Sequence, residues 1–361
     1  MNAKVPLLDM YMPLWGANFD SENGGGLVGG QVVACIPYSD EWNVIQQNEV
    51  VQERRRLSNY TSLSKPPLCL NVIEERFSSE TINEAMVRKG PKMLSQAQTA
   101  VLVMRLYKSG WFLAPDQAEI CFAINEGVWH LHRRPGPYRQ AFLTGLDNIP
   151  FPGYDLKIAE LTTSNNEPGA ISLLWYQLIE MRSNADNASV EIALENFNRS
   201  YGFQLKPSQR LAHLFMALDA MLGGFNEDEP GGLKLSGSSS TFSQRFKAAL
   251  LADGQEFIEV NQQVGWLNNN KPSGGRWLRN CIAHGDDINT DSLADAAQLR
   301  LQDIIRVLLR QYIRFLIRWN SDRFGISQRF KLPETCSPVG AYNAILTACA
   351  SEIEGAFDLL S

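Results

Sequence analysis

Apolar positions along the chain change their period partway through. Over residues 1–160 they fall in short runs, GLVGGQVVACIPYS, TAVLVMRLYKSGWF and EICFAINEGVWHLHRR, broken by Gly and Pro clusters. Such runs predict strands, and so a mixed, strand-rich first domain. In the third run Asn125, Glu126 and Gly127 separate two alternating arms, a short Gly-containing loop suited to closing a hairpin. The stretch DNIPFPGYD, with Pro150 and Pro152, then punctuates the chain and leads through a strand-like LKIAEL into TTSNNEPG. A domain boundary is expected there, at residues 160–165. From Pro168 onward the spacing becomes helical, in AISLLWYQLIEMRS, SVEIALENFNRSYG, SQRLAHLFMALDAMLGG, TFSQRFKAALLAD and the long DAAQLRLQDIIRVLLRQYIRFLIRWN. Residues 165–361 therefore read as a helix bundle, which makes the fold class α+β. Gly223 and Gly224 stop the third segment, an acidic Gly/Ser-rich loop FNEDEPGGLKLSGSSS follows, and Ser292 with Asp295 forms a capping box for the long helix. After Trp319 the tail returns to Pro and Gly before a last apolar helix, YNAILTACASEIEGAFDLL, expected to pack back on the bundle.

A chain of 361 residues can bury two cores, and 44% hydrophobic with 20% charged residues is the balance of an ordinary globular protein. The six cysteines, Cys35, Cys69, Cys121, Cys281, Cys336 and Cys349, form no CxxC pair and no regular spacing. That argues against a disulfide framework and a zinc ribbon, and fits a reducing cytoplasm. The opening MNAKVPLLDMYMPLWGANFD lacks a sustained apolar run before a small-residue cleavage site, so neither export signal nor membrane anchor is expected. A formal net charge of −6 opposes generalised nucleic-acid binding. It does not forbid a local basic groove.

The chemistry concentrates in GGRWLRNCIAHGDD, where Arg279 is followed by Asn280 and, five positions on, by His284 and Gly285. An Arg, a polar residue and then His, set in a late helix of an all-α bundle, resembles the RxxxxH signature of HEPN domains. The blocks RLAHLFMALDAMLGG and SQRFKAALLAD, ahead of RNCIAHG, resemble the Apea-like branch of that family. The likeness covers about residues 168–320, with the tail as part of the same unit. It implies a metal-independent endoribonuclease without cofactor, leaving a 2′,3′-cyclic phosphate and a 5′-hydroxyl. It also implies a homodimer through the helical domain, RNA as substrate, and a place in prokaryotic antiviral defence or a toxin system. There the first domain would sense a phage-derived trigger or answer to a regulatory partner.

The residues support that chemistry on their own terms. Cutting RNA without a metal needs a base for the ribose 2′-hydroxyl, an acid for the leaving 5′-oxygen and a cation for the charge growing on phosphate oxygens. Imidazole exists in both protonation forms near neutrality, so His284 can act as acid and base. The guanidinium of Arg279 stays charged and presents a planar fork that matches phosphate. Asn280 supports, orienting imidazole or phosphate. Five positions on an ideal helix, however, turn two side chains about 140° apart. Either the helix distorts at its end, which Gly285 permits, or a second subunit completes the site. A structural reading is also open, because Arg and His in the last turn before a Gly compensate the helix dipole and cap the helix without any catalysis. The protein is then a non-catalytic dimerisation or binding scaffold.

Arg306, Arg310, Arg314 and Arg318 recur every four residues on the long helix, a stripe that could guide an RNA backbone or cover apolar neighbours with its stems. His130 and His132 alternate along a strand and share a face, but no third ligand is evident and no metal site is expected. His213 falls within an apolar helical period and reads as a packing residue. Arg245 and Lys247 could approach phosphate, and Trp266, Trp277 and Trp319 could stack on bases, though an exposed helix face and bundle packing explain them as well. No phosphate-binding glycine loop and no GxSxG elbow is present in the sequence.

Overall fold

The structure is a computed structural model. It describes residues 8–14, 17–19, 25–35, 69–74, 82–112, 114, 120–124, 129–132, 154–156, 167–183, 188–202, 205–222, 240–286, 291–350 and 356–360. Two compact units divide the chain, Met1–Tyr176 and Gln177–Ser361. The division falls inside the helix Glu167–Ser183 rather than at residues 160–165.

The strands are β1 (Leu8–Pro13), β2 (Ala17–Phe19), β3 (Gly25–Gly29), β4 (Val32–Cys35), β5 (Cys69–Glu74), β6 (Ile120–Ile124), β7 (Trp129–His132) and β8 (Tyr154–Leu156). Six of them form one antiparallel sheet in the order β3-β4-β5-β1-β6-β7, and β2 pairs with β8 in parallel. Period-two patterning sets the buried face, since Met10, Met12 and Leu14 are all fully buried. The register lines Met10 with Val72 and Val72 with Val32, then Met12 with Leu70 and Leu70 with Ala34. Each row places three apolar side chains side by side across adjacent strands. β6 and β7 are antiparallel neighbours from Ala123↔Trp129 to Ile120↔His132. The expected loop Asn125-Glu126-Gly127 and most of LKIAEL lie outside the described residues.

One expected strand is a helix. TAVLVMRLY forms the C-terminal part of α1 (Ile82–Tyr107), which packs on β1, β4 and β5. Ala100, Val101, Leu102, Val103 and Met104 are all buried, so this part of the helix is apolar around its whole circumference. A short run of that kind has no helical period to read and looks like a buried strand.

From Glu167 onward the described elements are all helices: α2 (Glu167–Ser183), α3 (Ala188–Arg199), α4 (Pro207–Leu222), α5 (Ser240–Ala252), α6 (Phe257–Asn268), α7 (Gly275–His284), α8 (Asp291–Ser321), α9 (Arg323–Phe330) and α10 (Pro338–Ala350), then a 3-10 turn at Phe357–Leu359. With the antiparallel sheet before them, the chain is α+β. None of the described helices is long and apolar enough to cross a membrane. The acidic loop after α4, its Gly223–Gly224 stop, and the side chain of Ser292 lie outside the described residues. The C-terminal helix starts earlier than its sequence period suggests, at Pro338. Two helices carry no readable period: α6 buries only Val260 and Leu267, and α9 buries only Ile326.

The 31-residue α8 is the central strut of the second unit, packing on α3, α4, α5, α9 and α10. Its Tyr312 meets Tyr342 of α10 edge-on at 5.2 Å between ring centroids, and Phe315 lies 5.6 Å from the same ring. Rings in such tilted and edge-to-face contacts stabilise beyond the area they bury, by about 0.5–1.5 kcal/mol a pair. Gln298 and Gln302, both buried, donate to the carbonyl and hydroxyl of Ser200 in the turn after α3.

Candidate functional site

The motif residues sit on α7, a ten-residue helix packed on α4 and α6. Its start is shaped by the turn 269–274. A Cβ on Gly274 would meet the Asn269 carbonyl oxygen at 2.2 Å, so only glycine fits there. The Trp266 indole N–H donates to the Ser273 carbonyl at 2.9 Å and locks the same turn. Its end is Gly285, in the left-handed region at φ 74° and ψ 19°. The amide of Gly285 donates to the Ile282 carbonyl and that of Asp286 to the Cys281 carbonyl, a Schellman-type close that satisfies two terminal carbonyls.

One face of α7, Gly275, Leu278 and Cys281, is buried. Arg279 lies on the flank turned to α4, where its Nη2 donates to Asp219 Oδ2 at 2.7 Å. Both side chains remain about one-third exposed, 32% and 30%. His284 is exposed and is the last residue of the helix. The left-handed turn begins only beyond it, so helix distortion does not bring the imidazole around to Arg279. On helical spacing the two groups border the exposed ridge from opposite sides, with exposed Asn280 between them. Asn280 Nδ2 reaches the side-chain oxygen of Asn270 at 3.4 Å, a long bond that leaves it on the surface.

Asp219 was not evident from the sequence, because an acidic residue within an apolar helical period looks like any exposed position. Burial pushes its carboxyl above the ordinary value of 3.8, and the hydrogen bond and charge of Arg279 pull it back only in part. Its second oxygen, Oδ1, is buried without a hydrogen-bond partner. A carboxyl whose proton is held more tightly in the folded than in the unfolded chain contributes most to stability below its unfolded value. It loses that contribution as pH rises through the higher folded value. The stability of the wild-type chain relative to Asp219→Asn should therefore fall as pH is raised upward from 3.8. Paired denaturation curves between acid and neutral pH measure this, and a difference that grows with pH would contradict it.

The arginine stripe does not form a free RNA-facing surface. Arg306 is 4% exposed. Its Nη2 donates to the Tyr201 hydroxyl at 3.0 Å and its Nη1 pairs with Asp303. Burial alone would lower its pKa, but Tyr201 and Asp303 outweigh it and hold the guanidinium above its ordinary value. Arg310 and Arg314 converge on Asp253 after α5, at 3.9 and 3.8 Å, and Arg318 donates to the Asp358 carbonyl. The cause is enclosure: α8 is covered on several sides, so a drifting stripe of long side chains becomes a set of ties to its neighbours.

The remaining candidates also have structural partners. His213 Nδ1 lies 2.8 Å from Asn196 Oδ1. Its pKa is lowered by burial first, then by Arg199, against Glu195. Arg245 donates to Thr347 and to the Leu222 carbonyl, and the Lys247 ammonium sits 4.4 Å above the Phe257 ring. Trp319 is buried, Trp277 is half-buried, and Trp266 lies under the Arg300 guanidinium at 4.9 Å. The His130 and His132 side chains lie outside the described residues, among which no group of three metal-ligating side chains occurs. Cys281, Cys336 and Cys349 are free thiols.

No protein-family model, no curated protein and no solved structure matches this chain.

Proposed function

We propose that the protein is a metal-independent endoribonuclease of the HEPN type, resembling the Apea-like branch and acting as a homodimer through its helical unit. Arg279 stabilises charge on the phosphate oxygens, and His284 takes and returns protons at the 2′-hydroxyl and the leaving 5′-oxygen. Asn280 assists between them. The single observation that carries this reading is the exposed ridge of α7, which presents Asn280 and His284 to solvent and keeps Arg279 one-third exposed on its flank. Packing does not call for the imidazole there, although a basic group in the last turn of α7 also suits the helix dipole. Because a straight helix keeps Arg279 and His284 on opposite sides of that ridge, the reading requires a second copy facing the first. Two ridges related by a twofold axis then supply Arg279 from one copy beside His284 of the other. Prokaryotic antiviral defence or toxin activity, in the cytoplasm, is the setting this chemistry suits. The sheet-containing unit would take a phage-derived trigger or a regulatory partner.

The decisive assay incubates purified full-length chain with RNA in excess EDTA and analyses the ends. Cleavage that persists and leaves 2′,3′-cyclic phosphate and 5′-hydroxyl ends is the expected result. Loss of cleavage in EDTA, or 5′-phosphate ends, would refute the assignment. A second reading, a non-catalytic dimerisation scaffold, is favoured by the Arg279–Asp219 ion pair, which engages the guanidinium within its own chain. It predicts normal dimers and intact RNA.

A further inference from the structure

The second residue of α7, Arg276, is exposed and stands in line with the proposed site. It precedes Asn280 by four positions and His284 by eight, so the three follow one side of the helix with a drift of about 40° at each step. In projection Arg276 lies between Arg279 and Asn280, toward the middle of the exposed ridge. Arg279 is its neighbour one turn on, and residues three apart on a helix bring their Cβ atoms to about 5–6 Å.

Solvated arginines are commonplace on helices, but the fold makes no use of this one. Every other described arginine of the second unit has a hydrogen bond, an ion pair or a ring contact within the chain. Arg276 has none among the described residues. Its place also works against the helix, because a cation in the first turn opposes the helix dipole, and α7 has no acidic residue there to offset it. Residues 269–285 carry Lys271, Arg276 and Arg279 but neither Asp nor Glu, in a chain whose net charge is −6. Asp219, which packing brings to this helix, is engaged by Arg279. The start of the ridge is locally basic on an acidic protein.

We infer that Arg276 binds the RNA substrate of the α7 site, taking the phosphate next to the one that Arg279 holds. The inference rests on the ribonuclease reading, because a strand that sets its scissile phosphate against Arg279 carries another phosphate one backbone step away. Such a strand, unlike a single small anion, engages both guanidinium groups. The two arginines then divide the work. Arg279, steadied by Asp219, faces the reacting phosphate, where the planar fork matters. Arg276, long and unbraced, follows a flanking phosphate, where charge alone suffices. Lysine should therefore replace Arg276, although it fails at position 279.

The test measures binding of a short fluorescein-labelled single-stranded RNA of mixed sequence to the full-length His284→Ala chain over a range of KCl concentrations. In that background Arg276→Ala should weaken binding about two- to fivefold at low salt, the scale of one exposed ion pair. It should also flatten the log–log salt dependence by about 0.7, the loss of one phosphate contact on a single strand. Arg276→Lys should restore both. With His284 intact, Arg276→Ala should raise KM and leave kcat in place, since a flanking phosphate is held equally in the ground and transition states. Its melting temperature should be no lower than the background's, because no contact within the chain is lost. An unchanged salt slope in Arg276→Ala, an equal loss in Arg276→Lys, a loss that tracks a lower melting temperature, or a background that binds no RNA overturns the inference. Wild-type cleavage alongside an unchanged slope would sink this contact and spare the nuclease. A flattened slope, restored by lysine, alongside no cleavage would do the reverse.

Discussion

His284→Ala is expected to lower RNA cleavage by about 10²–10⁴-fold, the usual contribution of a positioned general acid or base. The melting temperature should not move. The imidazole is exposed, so little packing is lost with it, while the α7 backbone is closed by the amides of Gly285 and Asp286. In cells, the wild-type chain should slow growth and fragment RNA where the variant does not, and equal toxicity from both would remove His284 from the mechanism. Arg279→Lys sharpens the test. It keeps a positive charge within reach of Asp219, so the fold should hold, but it loses the planar fork and should still impair a phosphate clamp.

Replacing Arg306 with alanine should lower stability by about 2–4 kcal/mol, combining the cavity left by a large buried side chain with the loss of its buried hydrogen bond to the Tyr201 hydroxyl. Tyr201 is 1% exposed, so the bond is lost from a buried site. Asp303 is 58% exposed and can be rehydrated, which keeps the loss below that of a fully buried pair. In a unit of this size the melting temperature should drop by roughly 5–15 °C. A guanidinium that guided RNA would behave in the opposite way, changing the salt dependence of RNA binding and leaving unfolding untouched. Thermal unfolding of the variant decides between them, and an unchanged melting curve would restore the arginine stripe as a candidate RNA track.

Much of the architecture was legible in the residues. The long helix 291–321 and the helices at 188–199, 207–222 and 240–252 each bury a face at helical spacing, and that spacing is visible without coordinates of any kind. α6 and α9 were not legible, because a helix that buries one or two residues leaves no periodic trace. The run TAVLVMRLY was misleading for the opposite reason, burial on all sides. At the site, Arg279, Asn280 and His284 stood out through spacing, and Gly285 through its place after the helix. Asp219 did not, since a contact sixty residues away in sequence leaves no local signature.

Local chemistry thus determined which segments alternate, which coil, where α7 ends, and which groups along it could move protons or hold phosphate. Those properties depend on neighbours a few positions away, and the chain states them directly. Tertiary structure alone decided that Arg306 is enclosed, that Arg279 leans on Asp219, and that Phe324 stands uncovered. The physical reason is that exposure and pairing of a long side chain depend on which helices lie against its own. Packing sets that, and the period along one helix cannot reveal it.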